Sequence, residues 1–417
     1  MGDEKVQEQA HNIAESIARS SRAKLVAFLA SRSGDLAAAE DALSDAFATA
    51  LAVWPAEGAP ANPEAWLLTV ARRKLIDHLR RDREVPSSDE LEDLADSVSS
   101  DTSADENDLP DRRLALLFAC AHPAIDPTVR APLMLQVVLG LEAAQIASAF
   151  LVSPAAMAQR LVRAKTKIRY ARIPFRVPDR CELPERLDAV LDSVYACYSE
   201  GWAESASTDM ARRELAGEAI FLGRLLVELL PAEPETWGLL ALMLYAEARR
   251  PARRRANGEF VPFSQQDRSL WDQTMIDEAD AALRQASSTR LIGRFQLEAA
   301  IQSAHLEGAQ TGTAPWASIV SLYDALVQLT GSPVASINRA LALAEVEGPQ
   351  AALQSLDEVS SDPRLDCYQP YWAVRANLLA RTGRNDEARH AYDLASGLES
   401  DPAVRSHLEQ LREKLPE

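Results

Sequence analysis

Cysteine is scarce: Cys120, Cys181, Cys197 and Cys367 are the only four in 417 residues. Their spacing fits neither a disulfide framework nor a zinc site, and Cys120 with His122 is a lone Cys-x-His without a second pair. This excludes a disulfide-stapled scaffold; the expectation is a reducing cytoplasm, no metal and no cofactor. Long apolar runs are also missing. None approaches the ~18 residues a membrane-spanning helix needs, and the polar start MGDEKVQEQAHN lacks the apolar stretch of a secretory signal. No membrane partner is expected. Nor is there an excess of positive charge: the formal net charge is -18, which on its own argues against simple nucleic-acid binding. No glycine-rich phosphate loop and no nucleophile–base pair stands out, so the chain is not expected to be an enzyme.

Alanine and leucine are abundant and recur with a 3.6-residue period, while β-branched alternation is rare, so the fold class is all-α. Charge is distributed unevenly. Residues 85–111 hold ten acids and no lysine or arginine, and two other stretches are strongly basic. The chain divides accordingly. Residues 1–84 form a helical unit. Residues 85–110 are Ser/Asp-rich and lack aromatics, as a flexible acidic linker would. Residues 111–172 form a second, small helical unit. Residues 173–183, flanked by Pro174, Pro178 and Pro184, mark a boundary, and a long helical array runs over 184–417.

The first basic stretch, NPEAWLLTVARRKLIDHLRRDR (62–83), opens with Asn62 as a cap and Pro63 at the first helical position. Over 66–83, six bases against Asp77 and Asp82 give +4, a stripe able to follow a phosphate backbone. A helix over 35–54 precedes it, with Leu36, Leu43, Phe47, Leu51 and Trp54 on one face and Glu40, Asp41, Ser44 and Asp45 on the other. At these residues the chain resembles region 2 of the extracytoplasmic-function (ECF) sigma factors. The resemblance implies that the acidic helix docks on core RNA polymerase through Glu40, Asp41, Asp45 and Phe47. It also implies that Trp66, Arg72, Arg73, Lys74, Asp77, His78, Arg80 and Arg81 contact the melted −10 element of promoter DNA.

The second basic stretch, LEAAQIASAFLVSPAAMAQRLVRAKTKIRY (141–170), places Ala143, Ile146, Ala147 and Phe150 on one stripe. Ser153 and Pro154 then start a new helix, with Met157, Leu161, Ala164 and Ile168 facing inward. Its polar face carries Gln159, Arg160, Arg163, Lys165, Lys167 and Arg169; over 155–172 there are six bases and no acid. Helix, short turn and capped basic helix is the helix-turn-helix arrangement, in which Gln159 and Arg160 are of the types that read base edges. Leu151 stands where such a turn usually has glycine. The segment resembles sigma region 4, so Ser153, Gln159, Arg160, Arg163, Lys165 and Lys167 are expected at the −35 element.

Beyond 184 a weak repeat is visible. Gly383, Ala388, Tyr392 and Ala395 have counterparts in Glu347, Ala352, Leu356 and Val359, 36 residues earlier, an offset pattern resembling tetratricopeptide (TPR) helix pairs, whose period is ~34. The segment QQDRSLWD resembles the ECF subgroup with a C-terminal TPR-type domain. The resemblance implies that this domain regulates the sigma regions in cis, through contact with them or through a protein or peptide ligand. Asp267, Arg268, Trp271 and Asp272 are its candidate regulatory motif, expected as a Trp-anchored salt-bridge cluster. A helix-turn-helix regulator that never meets polymerase is the alternative, and the acidic helix over 35–54 argues against it.

Overall fold

The computed structural model describes residues 13, 21–82, 112–150, 152–179, 181–202 and 210–416. The expected linker at 85–110 and Leu151 lie outside the described residues. Among those described there are 18 α-helices and no strand; Arg254 and Phe260 form one isolated antiparallel bridge. None of these helices is long and apolar enough to cross a membrane. The chain falls into two compact units, Met1–Glu200 and Gly201–Glu417.

The first unit begins with α1 (Arg22–Ser33), α2 (Leu36–Glu57) and α3 (Pro63–Asp82). Gly34, at φ 66°, ends α1 in the left-handed region, where a side chain would be strained. Asp35 then caps α2 by accepting from the Ala38 amide at 3.1 Å. Asn62 caps α3 in the same way, accepting from Ala65 N at 3.1 Å. The apolar stripe of α2 is buried at Leu36, Leu43 and Trp54, and α3 packs on it through Leu67, Ala71 and Leu75. Leu51, placed on that stripe by its spacing, is exposed instead.

The unit continues with α4 (Arg113–Cys120), α5 (Pro127–Leu139), α6 (Ala143–Ala149) and α7 (Pro154–Tyr170). Every residue of α4 from Leu114 to Cys120 is buried. A helix apolar all round must be covered on all sides, and α1 and α5 both pack on it. The eighth helix, α8 (Leu183–Trp202), spans the residues at which the two units divide. Its buried Leu187, Val190, Leu191 and Val194 form a helical stripe, and Arg186 Nη2 donates to the Phe118 carbonyl at 2.7 Å. The proline-flanked stretch 173–183 therefore lies inside the first unit, some way before the division of the chain: α8 returns to α4 beyond it.

The second unit contains α9 (Met210–Leu229), α10 (Pro234–Ala248), α11 (Gln273–Ser287), α12 (Arg294–Thr311), α13 (Trp316–Thr330), α14 (Pro333–Val346), α15 (Pro349–Glu358), α16 (Gln369–Arg381), α17 (Asn385–Leu398) and α18 (Pro402–Glu413). Consecutive helices pack as neighbours, and apart from the excursion between α10 and α11 most of their connections are short. Glu235 of α10 receives the amides of Phe295 (2.8 Å) and Gln296 (3.1 Å), satisfying the open N-terminus of α12. Gly238 allows this approach, since a Cβ there would stand 2.7 Å from the Gln296 nitrogen. Six of the eight repeat positions are core positions: Ala352, Leu356, Ala388, Tyr392 and Ala395 are buried in one cluster shared by α14 to α18, with Val359 packed against it, while Glu347 and Gly383 are exposed.

Candidate nucleic-acid interface

On α2 the exposed acidic face consists of Asp41, Ser44 and Asp45, with Phe47 half-buried beside it. Glu40 does not belong to that face: it is only 6% exposed. It lies one turn after Leu36 and just before Leu43, on the buried stripe. Its Oε2 meets Lys165 Nζ at 2.5 Å, and its Oε1 lies 3.5 Å from Arg22 Nη2. As a surface contact for another protein Glu40 is therefore corrected: this carboxylate is used inside the molecule.

Asp45 faces α3, where His78 Nε2 stands 3.4 Å from its Oδ2. The sequence-derived −10 residues divide by role. Arg73 and Asp77 are exposed, and Lys74 is partly so. Trp66 is half-buried and meets the buried Trp54 edge-on, with ring centroids 5.4 Å apart. Arg72 places its guanidinium 5.0 Å from the centre of the Phe28 ring, so it packs α3 against α1. Arg80 and Arg81 fall in the last turn of α3, with side chains outside the described set.

The second basic helix, α7, starts where its cap residues place it: Ser153 accepts from Ala156 N at 3.3 Å. Met157, Leu161, Ala164 and Ile168 are buried, as their spacing predicts. Gln159, Arg160, Arg163 and Lys167 are exposed together with Ser153. Lys165 differs from them, since it turns to Glu40. One turn further on, Arg169 Nε lies 3.2 Å from Asp35 Oδ2. α7 thus has two basic flanks, one outward and one against α2. The helical wheel contained the signal, because Lys165 and Arg169 are four apart and off the arc of Gln159 and Arg163. Only an acidic partner on another helix could reveal its use.

The 267–272 motif is a set of caps and ties in which no side-chain ion pair joins its members. Asp267 receives the Ser269 amide (2.9 Å) and hydroxyl (2.7 Å), and these bonds, the hydroxyl's first, hold its carboxyl below the usual range. Asp272 caps α11, accepting from Met275 N at 3.1 Å. Arg268 donates to the Ala309 carbonyl on α12. Trp271, buried, stacks on Phe263 with centroids 5.9 Å apart. These residues fix the long excursion between α10 and α11. Among the described residues no cluster of His, Cys, Asp and Glu is able to hold a metal ion.

Two basic helices pack on the acidic α2, each with exposed bases of the kind that nucleic-acid-associated proteins carry. The family comparisons narrow this class. A model for sigma-70 region 2 matches residues 17–85, which include α1, α2 and α3, and a family of unknown function, DUF6596, matches 186–287. An uncharacterized protein of Rhizobium meliloti (strain 1021), R00370, is 41% identical over 376 residues, covering 89% of this chain and 88% of that one. No solved structure matches the chain significantly. The chain belongs to the sigma-70 family, with a long C-terminal extension. It has a sigma-factor-like role in transcription initiation, with core RNA polymerase and promoter DNA as its partners.

Proposed function

We propose that this chain is a sigma factor of the ECF class that directs core polymerase to a specific set of promoters from the cytoplasm, with its C-terminal helical array regulating it in cis. The observation that carries the reading is the pairing of α2 and α3 inside the region 2 match: an exposed acidic face at Asp41 and Asp45 beside a basic helix bearing Arg73 and Lys74. In this reading Asp41, Asp45 and Phe47 dock on the polymerase. Trp66, Arg72, Arg73, Lys74, Asp77, His78, Arg80 and Arg81 form the surface for the melted −10 element, with Trp66 and Arg72 acting by shaping it. α6 and α7 are a region 4 helix-turn-helix, in which Gln159 and Arg160 read base edges at −35 while Arg163 and Lys167 hold phosphates.

The array is read as TPR-like because both repeats of its offset pattern supply core residues, and stacked helix pairs form concave surfaces suited to a peptide or a neighbouring domain. The motif at 267–272 then acts by holding the shape of that surface. The test is co-elution of the full chain with core polymerase. Asp41→Lys with Asp45→Lys is expected to lower the affinity at least about ten-fold with an unchanged circular dichroism spectrum, since exposed carboxylates contribute little to stability. Affinity equal to that of the wild type would remove the docking assignment.

A further inference from the structure

The excursion between α10 and α11 contains a hairpin over residues 253–261. Val261 N donates to the Arg253 carbonyl at 2.8 Å and Arg255 N to the Glu259 carbonyl at 3.0 Å, with Gly258 at φ 86° in the turn. Arg254 and Phe260 stand directly opposite each other in this short ladder, so their side chains leave from the same face. Both reach the last helix of the second unit. Arg254 Nη2 donates to Oδ2 of Asp401, the residue that caps α18. The Phe260 ring meets the His407 ring edge-on, with centroids 5.6 Å apart. The ion pair joins residues 147 positions apart in the chain.

Each partner has a seat of its own. At the base of the hairpin Ala252 and Val261 are buried, and the guanidinium of Arg253 lies 4.3 Å from the centre of the Trp202 ring. On either side of the hairpin the excursion follows one face of α12: Arg249 donates to Gln302 at 2.7 Å, Phe263 meets His305, and Arg268 donates to the Ala309 carbonyl. α18 is held through the buried Leu408, with Val404, Leu411 and Leu415 packed against the cluster shared by α14 to α18. The hairpin and α18 are therefore anchored separately. Their meeting through Arg254 and Phe260 is a polar and aromatic contact between two fixed pieces. A two-stranded hairpin is marginal in water without support. The side chains of Arg254 and Asp401 are 22% and 10% exposed, so removing either charge leaves the other poorly solvated.

We propose that this hairpin is a latch: Arg254 and Phe260 hold Asp401 and His407, closing the second unit onto its own last helix, and the unit opens there when the two contacts part. Closed, the start of α18 is bridged to the segment that lies along α12. Open, the hairpin swings on its buried base while α18 keeps its seat. A ligand that binds one arrangement better than the other shifts the population by its differential affinity. The latch stands on the second unit alone and does not rest on the sigma assignment.

Double electron–electron resonance on the full chain reads the latch. Spin labels are placed at Ala256→Cys on the hairpin and Ser406→Cys on α18, both exposed positions. The exposed Cys181 and Cys367 are replaced by serine, and the buried Cys120 and Cys197 stay. The otherwise unaltered chain is expected to give one short distance. Asp401→Asn removes the charge, keeps a capping oxygen for α18 and leaves every residue of the hairpin in place. Arg254→Gln removes the partner. Each is expected to raise the population at longer distance at least about ten-fold, since each strands the other group. The double variant is expected to open no further than the more open single one, because both break the same contact. A control pair at Glu358→Cys on α15 and Asp386→Cys on α17 is expected to keep its distance in every variant. Asp401→Asn without a longer distance, a double variant equal to the product of the singles, or a control pair that broadens together with the first overturns the latch. So does an unaltered chain that already divides evenly between two distances.

Discussion

At the scale of single residues, the second basic helix separates side chains that look alike in sequence. Arg160 and Lys167 are both exposed on α7, whereas Lys165 is withdrawn to Glu40. An exposed guanidinium presents a fixed fork of donors to the two acceptors on a guanine edge, whereas an ammonium on phosphate acts as a point charge. Arg160→Ala is therefore expected to relax discrimination at one −35 position by on the order of 1–3 kcal/mol, while Lys167→Ala weakens all sequences alike and lowers the salt slope. Binding of the holoenzyme to a panel of −35 variants at two salt concentrations checks both. A uniform loss from Arg160→Ala would place that residue on the backbone.

At the scale of elements, the excursion between α10 and α11 depends on aromatic contacts for its position. Phe263 lies between Trp271 and His305, and His305 also meets Trp316 edge-on with centroids 5.6 Å apart. Burial, and after it the charge of Arg249, holds the His305 imidazole below its ordinary value of 6.5. The folded chain thus refuses a proton that the unfolded chain accepts. This contribution to stability is complete above pH 6.5 and is lost as pH falls toward the lowered folded value. His407, shifted the same way by burial and then by Lys414, adds to the slope. His305→Phe keeps a ring at the site and removes the titration. Its Tm is expected to drop less than that of the wild type between about pH 7 and about pH 5. Equal drops would show that His305 does not govern the acid sensitivity of this unit.

At the scale of the whole molecule, α8 decides where the sigma portion can be separated from the extension. A cut near residue 184 would remove the helix whose Arg186 donates to Phe118 and whose Leu187, Val190, Leu191 and Val194 are buried in the first unit. A protease site placed between Trp202 and Met210 leaves α8 intact. If the array regulates in cis, cleavage of the purified chain there is expected to change promoter-specific transcription by core polymerase, upward for an inhibitory array and downward for a supporting one. Transcription unaltered by complete cleavage, with the two halves separating on a sizing column, would remove cis regulation.

What the sequence alone determined is what depends on neighbours along the chain. The caps Asn62 and Ser153 are legible because a short polar side chain reaches an amide three residues on. The α7 stripe and the repeat positions Ala388, Tyr392 and Ala395 are legible because helical period sorts them to one face. Region 2 was recognisable because acid on one helix and base on the next lie within fifty residues of chain. Tertiary structure alone decided the rest. Glu40 reads as one acid among four until Lys165, 125 positions away, arrives beside it. Arg72 reads as a phosphate contact until Phe28, far back in the chain, lies under it. Whether a charged side chain faces solvent, a ring or a buried counter-charge depends on which distant helix packs against it, and no local period encodes that partner.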